Sequence, residues 1–161
     1  MFTNLIDIIC NEKYKHNAEK VTLFGCNVGK KINKINPLVK PNFSFAWLEL
    51  ICNKYLMKCL LENYENWDIY YNLLASLLKF MNETISESRL YSKEHAGAYR
   101  TFYQAVLKLI VVLIHDFSSF LSAFSLELCL MVDNRFIQLK NIINSAFPAN
   151  ELEIPLKFEK R

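Results

Sequence analysis

The chain has 161 residues, 52% of them hydrophobic, 14% aromatic and 22% charged, with 3 glycines and 4 prolines. A chain of this length buries roughly two-thirds of its unfolded surface, which excludes disorder, and so few Gly and Pro exclude sandwiches and barrels, whose turns recur every ~8–12 residues. Nineteen Lys+Arg against 16 Asp+Glu leave a net charge of +3, too balanced for a nucleic-acid binder acting through charge alone.

Residues 1–14 begin with Phe2, Leu5, Ile6, Ile8 and Ile9 at near-helical spacing and predict a short amphipathic helix. Asp7 interrupts the apolar run that a signal peptide would need, so the expected location is cytoplasmic and nuclear. Residues 15–42 are rich in Lys and Asn and carry Gly25, Gly29, Pro37 and Pro41. They read as a long basic connection with at most a brief strand or turn at Val21, Thr22, Leu23 and Phe24.

Ser44 is placed to cap a helix over 45–61, with Phe45, Leu48, Ile51, Cys52, Tyr55, Leu56, Cys59 and Leu60 on one stripe. A second stripe, Trp67, Tyr70, Leu73, Leu74, Leu77, Leu78 and Met81, predicts a helix over 67–81. The five polar residues between the two would turn them antiparallel. Residues 82–94 read as a loop. A helix over 95–115 contains the apolar run 105–114, which at ten residues is too short to span a bilayer and predicts the most deeply buried helix, not a membrane segment. Asp116 or Ser118 would cap a helix reaching Met131, and Asn134 one over 135–146, stopped by Pro148. Residues 149–161 form a charged tail. The fold class expected is all-α, antiparallel helix pairs stacked as an α-solenoid or irregular bundle.

No catalytic or cofactor chemistry is legible. The run from Val21 to Lys31 imitates a phosphate loop, but three residues separate its glycines where four are needed, and Lys31 stands where a magnesium-binding hydroxyl belongs. His115 and Asp116 are chain neighbours whose side chains point about 100° apart on a helix, a poor relay. No three or four His, Cys or carboxylate ligands converge for a metal, and the five cysteines lack a C-x-x-C, which suits free thiols in a reducing compartment. The sequons at Asn42 and Asn82 are then chance matches. Lys30, Lys31, Lys34 and Lys40 leave RNA contact through 15–42 as an alternative function, though no aromatic residues interleave them for base stacking.

The segment His115-Asp116-Phe117-Ser118-Ser119-Phe120-Leu121, followed by Cys129 and by Ile137-Gln138-Leu139-Lys140-Asn141-Ile142-Ile143-Asn144-Ser145-Ala146-Phe147-Pro148, carries a resemblance. So do Phe43-Ser44-Phe45-Ala46-Trp47-Leu48-Glu49-Leu50-Ile51 upstream and Trp67, Tyr70, Leu73, Leu74 and Leu77-Leu78-Lys79-Phe80 between them. Residues 43–148 resemble the C-terminal domain of the large Not-one scaffold subunits of the Ccr-Not deadenylase complex. Ser118-Ser119, Ala123-Phe124-Ser125 and the stretch 130–134 depart from that pattern. The resemblance implies HEAT-like helical pairs and a non-catalytic scaffold that docks the heterodimer of the two smaller Not-box subunits in mRNA deadenylation. On the last helix, Gln138, Lys140, Asn141 and Asn144 would line a polar partner-facing side, with Ile137, Leu139, Ile142 and Ile143 turned to the core. Phe147, at the break made by Pro148, is either a core aromatic or an interface anchor.

Overall fold

The computed structural model describes residues 18–86 and 93–147, and every regular element in them is a helix. In chain order these are α1 (Ala18–Lys34), α2 (Ser44–Ile51), α3 (Lys54–Leu61), α4 (Trp67–Ser86), α5 (Lys93–Asp116), α6 (Ser118–Met131) and α7 (Ile137–Asn144). The predicted N-terminal helix, the charged tail and Pro148 lie outside the described residues.

The first correction is α1. The segment read as a connection is a 17-residue helix, and its glycines lie inside it. Gly25, Cys26, Gly29 and Ile32 follow helical spacing on its buried side. A Cβ on Gly25 would sit 2.5 Å from Cys59 Cβ on α3, and one on Gly29 would sit 2.9 Å from Ile69 Cγ2 on α4. The glycines therefore let three helices approach closely, which offsets their poor helix propensity of about 1 kcal/mol each. Trp47, fully buried, donates its indole N–H to Ile32 O at 2.9 Å and ties the end of α1 to α2.

The single helix expected over 45–61 is two. Asn53 Oδ1 accepts from Tyr55 N (3.0 Å) and Leu56 N (3.2 Å), the donors that an incoming helix leaves open, and so starts α3 afresh. The Ile51 carbonyl at the break accepts from the buried Tyr70 hydroxyl at 3.0 Å. No Ser44 cap is needed, because a 3-10 turn, Pro41–Phe43, winds directly into α2. Phe117 and Phe136 stand at the N-caps of α6 and α7 without side-chain cap bonds, in place of the expected Asp116 or Ser118 and Asn134.

Partners ascend together along α1 and α4: Cys26 Sγ donates to Asn66 Oδ1 (3.1 Å) just before α4, Gly29 abuts Ile69, and Ser76 Oγ donates to Asn33 Oδ1 (3.0 Å). The same holds for α4 and α6. Trp67 and Tyr70 meet Phe120 edge-on at 5.7 Å, Tyr71 stacks on Phe124 at 4.8 Å, and Asn82 Nδ2 donates to Met131 O at 2.8 Å. Thus α1, α4 and α6 run the same way in one layer, and the intervening helices return in the other, where Phe102 of α5 meets Phe45 of α2. With α2 and α3 counted together as one interrupted arm, three stacked pairs result, an α-solenoid.

The deepest helix is α4, whose Tyr70, Leu73, Leu74 and Leu77 are fully buried. This corrects the expectation for α5. Its stretch Gly97–Asp116 is long and apolar enough to cross a bilayer by length and composition, beyond the ten residues counted in sequence. In the fold, Val106, Ile110 and Leu113 are buried while Val111 and Val112 face outward.

Candidate partner-docking surface

The link between α6 and α7 is built from polar side chains that replace missing backbone partners. Asn82 spans it, donating to Met131 O and accepting from Asp133 N at 3.1 Å, so α4 fixes where α7 begins. Asp133 Oδ1 then accepts from Arg135 N at 2.9 Å, and the Arg135 guanidinium closes on both carboxylate oxygens at 2.9 Å. Those hydrogen bonds from Arg135 hold the Asp133 carboxyl down to about 2. Next in the chain, Phe136 is buried and stacks on Tyr103 (5.5 Å) and Tyr99 (6.5 Å) of α5.

With that start fixed, α7 buries Leu139 and Ile143 and exposes Ile137, Gln138, Asn141 and Asn144. The expected polar side is present in Gln138, Asn141 and Asn144, and it carries no charge. Two residues differ from expectation. Ile137 is 67% exposed at the head of the stripe instead of packing inward, because Phe136 fills the pocket against α5. Lys140 lies on the flank, half-buried, with Nζ donating to Asn134 Oδ1. Phe147 is exposed after α7, where the backbone turns with Phe147 N donating to Asn144 O.

Other surfaces hold less chemistry. His115 Nδ1 and Asp116 Oδ1 are in contact at 2.5 Å, closer than helical spacing suggested, at the last residue of α5. Both are exposed, and Ser118 and Ser119 beside them face solvent. Among the described residues no three His, Cys, Asp or Glu side chains gather as a metal would require. The four described cysteines are free thiols. Lys30, Lys31 and Lys34 project from the C-terminal end of α1, where a helix favours positive charge, and are part of a helix instead of a loop. Aromatic residues of α4, α5 and α6 pack on one another.

A family model described as "CCR4-Not complex component, Not1" matches residues 5–161, which takes in α1 as well as 43–148. The chain is 35% identical over 126 residues to the general negative regulator of transcription subunit 1 of Schizosaccharomyces pombe, covering 77% of this chain and 6% of that protein. It is 31% identical over 123 residues to the Saccharomyces cerevisiae protein of the same name, covering 74% and 6%. Among solved structures it is similar to the NOT1 superfamily homology domain from Chaetomium thermophilum, with TM-score 0.79 and 23% identity over 99% of this chain and 31% of that one. A Not1 C-terminal domain in complex with Not4 gives TM-score 0.69 and 24% identity over 99% and 33%. At these identities the solved structures establish the fold, and the chain spans about 6% of the length of those two curated relatives.

Proposed function

Since this chain belongs to the Not1 family of CCR4-Not complex components, we propose that it is a non-catalytic scaffold module that holds other protein subunits of that complex, acting in nucleus and cytoplasm. The observation that carries the reading is the uncharged stripe of α7: Ile137, Gln138, Asn141 and Asn144 stand exposed on a helix whose opposite face is locked into the core. Primary amides both donate and accept, so they suit the backbone of an extended partner segment, and Ile137 and Phe147 supply apolar ends. A surface without charge but with apolar anchors has the composition of an interface centre. The Not4-bound neighbour supports protein subunits as the class of partner. The finer assignment, to the Not-box heterodimer, comes from the family resemblance.

Co-purification of the full chain with the recombinant Not-box heterodimer tests this. Retention that persists as salt is raised, and falls at least tenfold in an Ile137→Asp, Asn141→Arg variant with an unchanged melting temperature, is the expected result. Absence of retention by the intact chain removes the partner assignment. If the chain instead binds RNA with an affinity that falls steeply with salt, and Lys30→Ala, Lys31→Ala, Lys34→Ala abolishes it, the α1 lysines carry the function.

A further inference from the structure

The corner that joins α1 to α2 combines positive charge with exposed aliphatic side chains. From Lys30 to Leu48 the chain carries four lysines and no acid. Lys30, Lys31, Lys34 and Lys40 are exposed, and among the described residues none of them pairs with a carboxylate. The carbonyl end of α1 offsets only about half an elementary charge of that excess. Between the last two lysines, Ile35 and Val39 are 39% and 62% exposed. We infer that this corner binds an acidic, leucine-bearing extended segment of another protein, as a second docking surface at the other end of the stack from α7.

The turn keeps its shape without the groups that would bind. Asn36 Oδ1 accepts from Leu38 N at 3.0 Å and Val39 N at 3.3 Å, and Asn36 Nδ2 donates to Asn33 O at 2.8 Å. Asn36 O accepts from Lys40 N at 3.1 Å, and Pro37 is buried. No lysine side chain and no exposed aliphatic one takes part in these bonds, so the binding groups are presented on a fixed backbone and only their own rotamers remain to be ordered. Lys30 and Lys34 stand about 6 Å apart along α1, and carboxylates on alternate residues of an extended chain are about 6.6 Å apart. A Glu-x-Glu-x-Leu segment can therefore set successive acids against both lysines and carry its leucine on toward Ile35 and Val39. RNA fits less well, because aliphatic side chains do not stack on bases. A bilayer also fits less well, since Ile35 and Val39 together hold about half the carbons of a myristoyl chain, itself a marginal anchor. The choice of a protein ligand rests on the scaffold reading, but the α7 stripe plays no part in it.

Fluorescence anisotropy on the full chain tests this, with a labelled peptide of two Glu-Ser-Glu-Ser-Leu repeats as the probe. Saturable binding is expected, weakened about tenfold by Lys30→Gln with Lys34→Gln and Lys40→Gln, and about threefold or more by Ile35→Ser with Val39→Ser, each at an unchanged melting temperature. Lys34→Glu with Lys40→Glu should turn the preference toward a peptide with Lys in place of Glu. The Ile137→Asp, Asn141→Arg variant should bind the probe as the wild type does. Absence of binding at about 1 mM probe, or equal binding of a peptide with Ser in place of Leu, overturns the proposal and leaves heterodimer retention, and with it the scaffold reading, standing. Tighter binding of oligouridine, or of phosphatidylcholine vesicles containing phosphatidylserine, than of the probe overturns it as well, because the corner would then serve RNA or a membrane.

Discussion

Asp133 is an acid whose charge has a structural use. Its carboxylate is held near 2, against an ordinary 3.8, by hydrogen bonds from the Arg135 side chain and N–H. A depressed folded-state value means that the pair stabilises the fold above about pH 4 and that this contribution disappears as pH falls toward 2. Asp133→Asn keeps an oxygen for Arg135 N but loses the ion pair. The wild type is therefore expected to melt higher than the variant at pH 6, with the gap closing as pH falls, a result that melts taken across pH 2–6 will show or refute. At the same scale, helical spacing located Gln138, Asn141 and Asn144 on an exposed side, but misplaced Ile137. Spacing cannot tell which of two adjacent apolar residues, Phe136 or Ile137, packs against α5, and here the larger ring does so by stacking on Tyr103.

Among the elements, α1 shows tertiary packing overriding local preference. Two glycines, with Asn and Lys around them, have the composition of a linker, yet the same glycines are what allow α1 to approach α3 and α4. Gly25→Ala sets these effects against each other. Helix propensity favours Ala by about 1 kcal/mol. The new Cβ meets Cys59 Cβ, an atom fixed to backbone, so the helices must separate, at a cost of about 1–3 kcal/mol. Chemical denaturation should find Gly25→Ala less stable than wild type, and Gly29→Ala milder, because there the new Cβ meets side-chain methyls, Ile69 Cγ2 at 2.9 Å and Leu60 Cδ1 at 3.1 Å, and not a Cβ fixed to backbone. A stabilised Gly25→Ala would mean that α1 does not pack this closely. The signal was present in the spacing of Gly25, Cys26, Gly29 and Ile32, small or apolar residues on one face, but it is invisible when glycine is read only as a helix breaker. The break between α2 and α3 escaped for a related reason. The apolar stripe continues through it, and only the side chain of Asn53, turning to cap Tyr55 and Leu56, divides the helix.

For the whole molecule, α4 is the spine on which the stacked pairs depend. Leu74 is fully buried and Trp67 packs on Phe120 and Phe124 while donating to Leu61 O at 2.9 Å. Replacing either by Ala is expected to cost about 2–5 kcal/mol, and a melt indistinguishable from wild type would displace that residue from the core. Composition and apolar periodicity by themselves determined the helical class, the identity of α4, α5 and α6 and most of their inward-facing residues, since helix formation follows spacing of 3.6 residues wherever a stripe is continuous. The motifs quoted from 43–148 also sufficed to indicate the family. What only the tertiary structure decided is which helices lie side by side, that α1 belongs to the core, and which residues of α7 remain on the surface. Those outcomes depend on competition between distant side chains for the same space and the same unpaired carbonyls, a quantity that no local stretch of sequence contains.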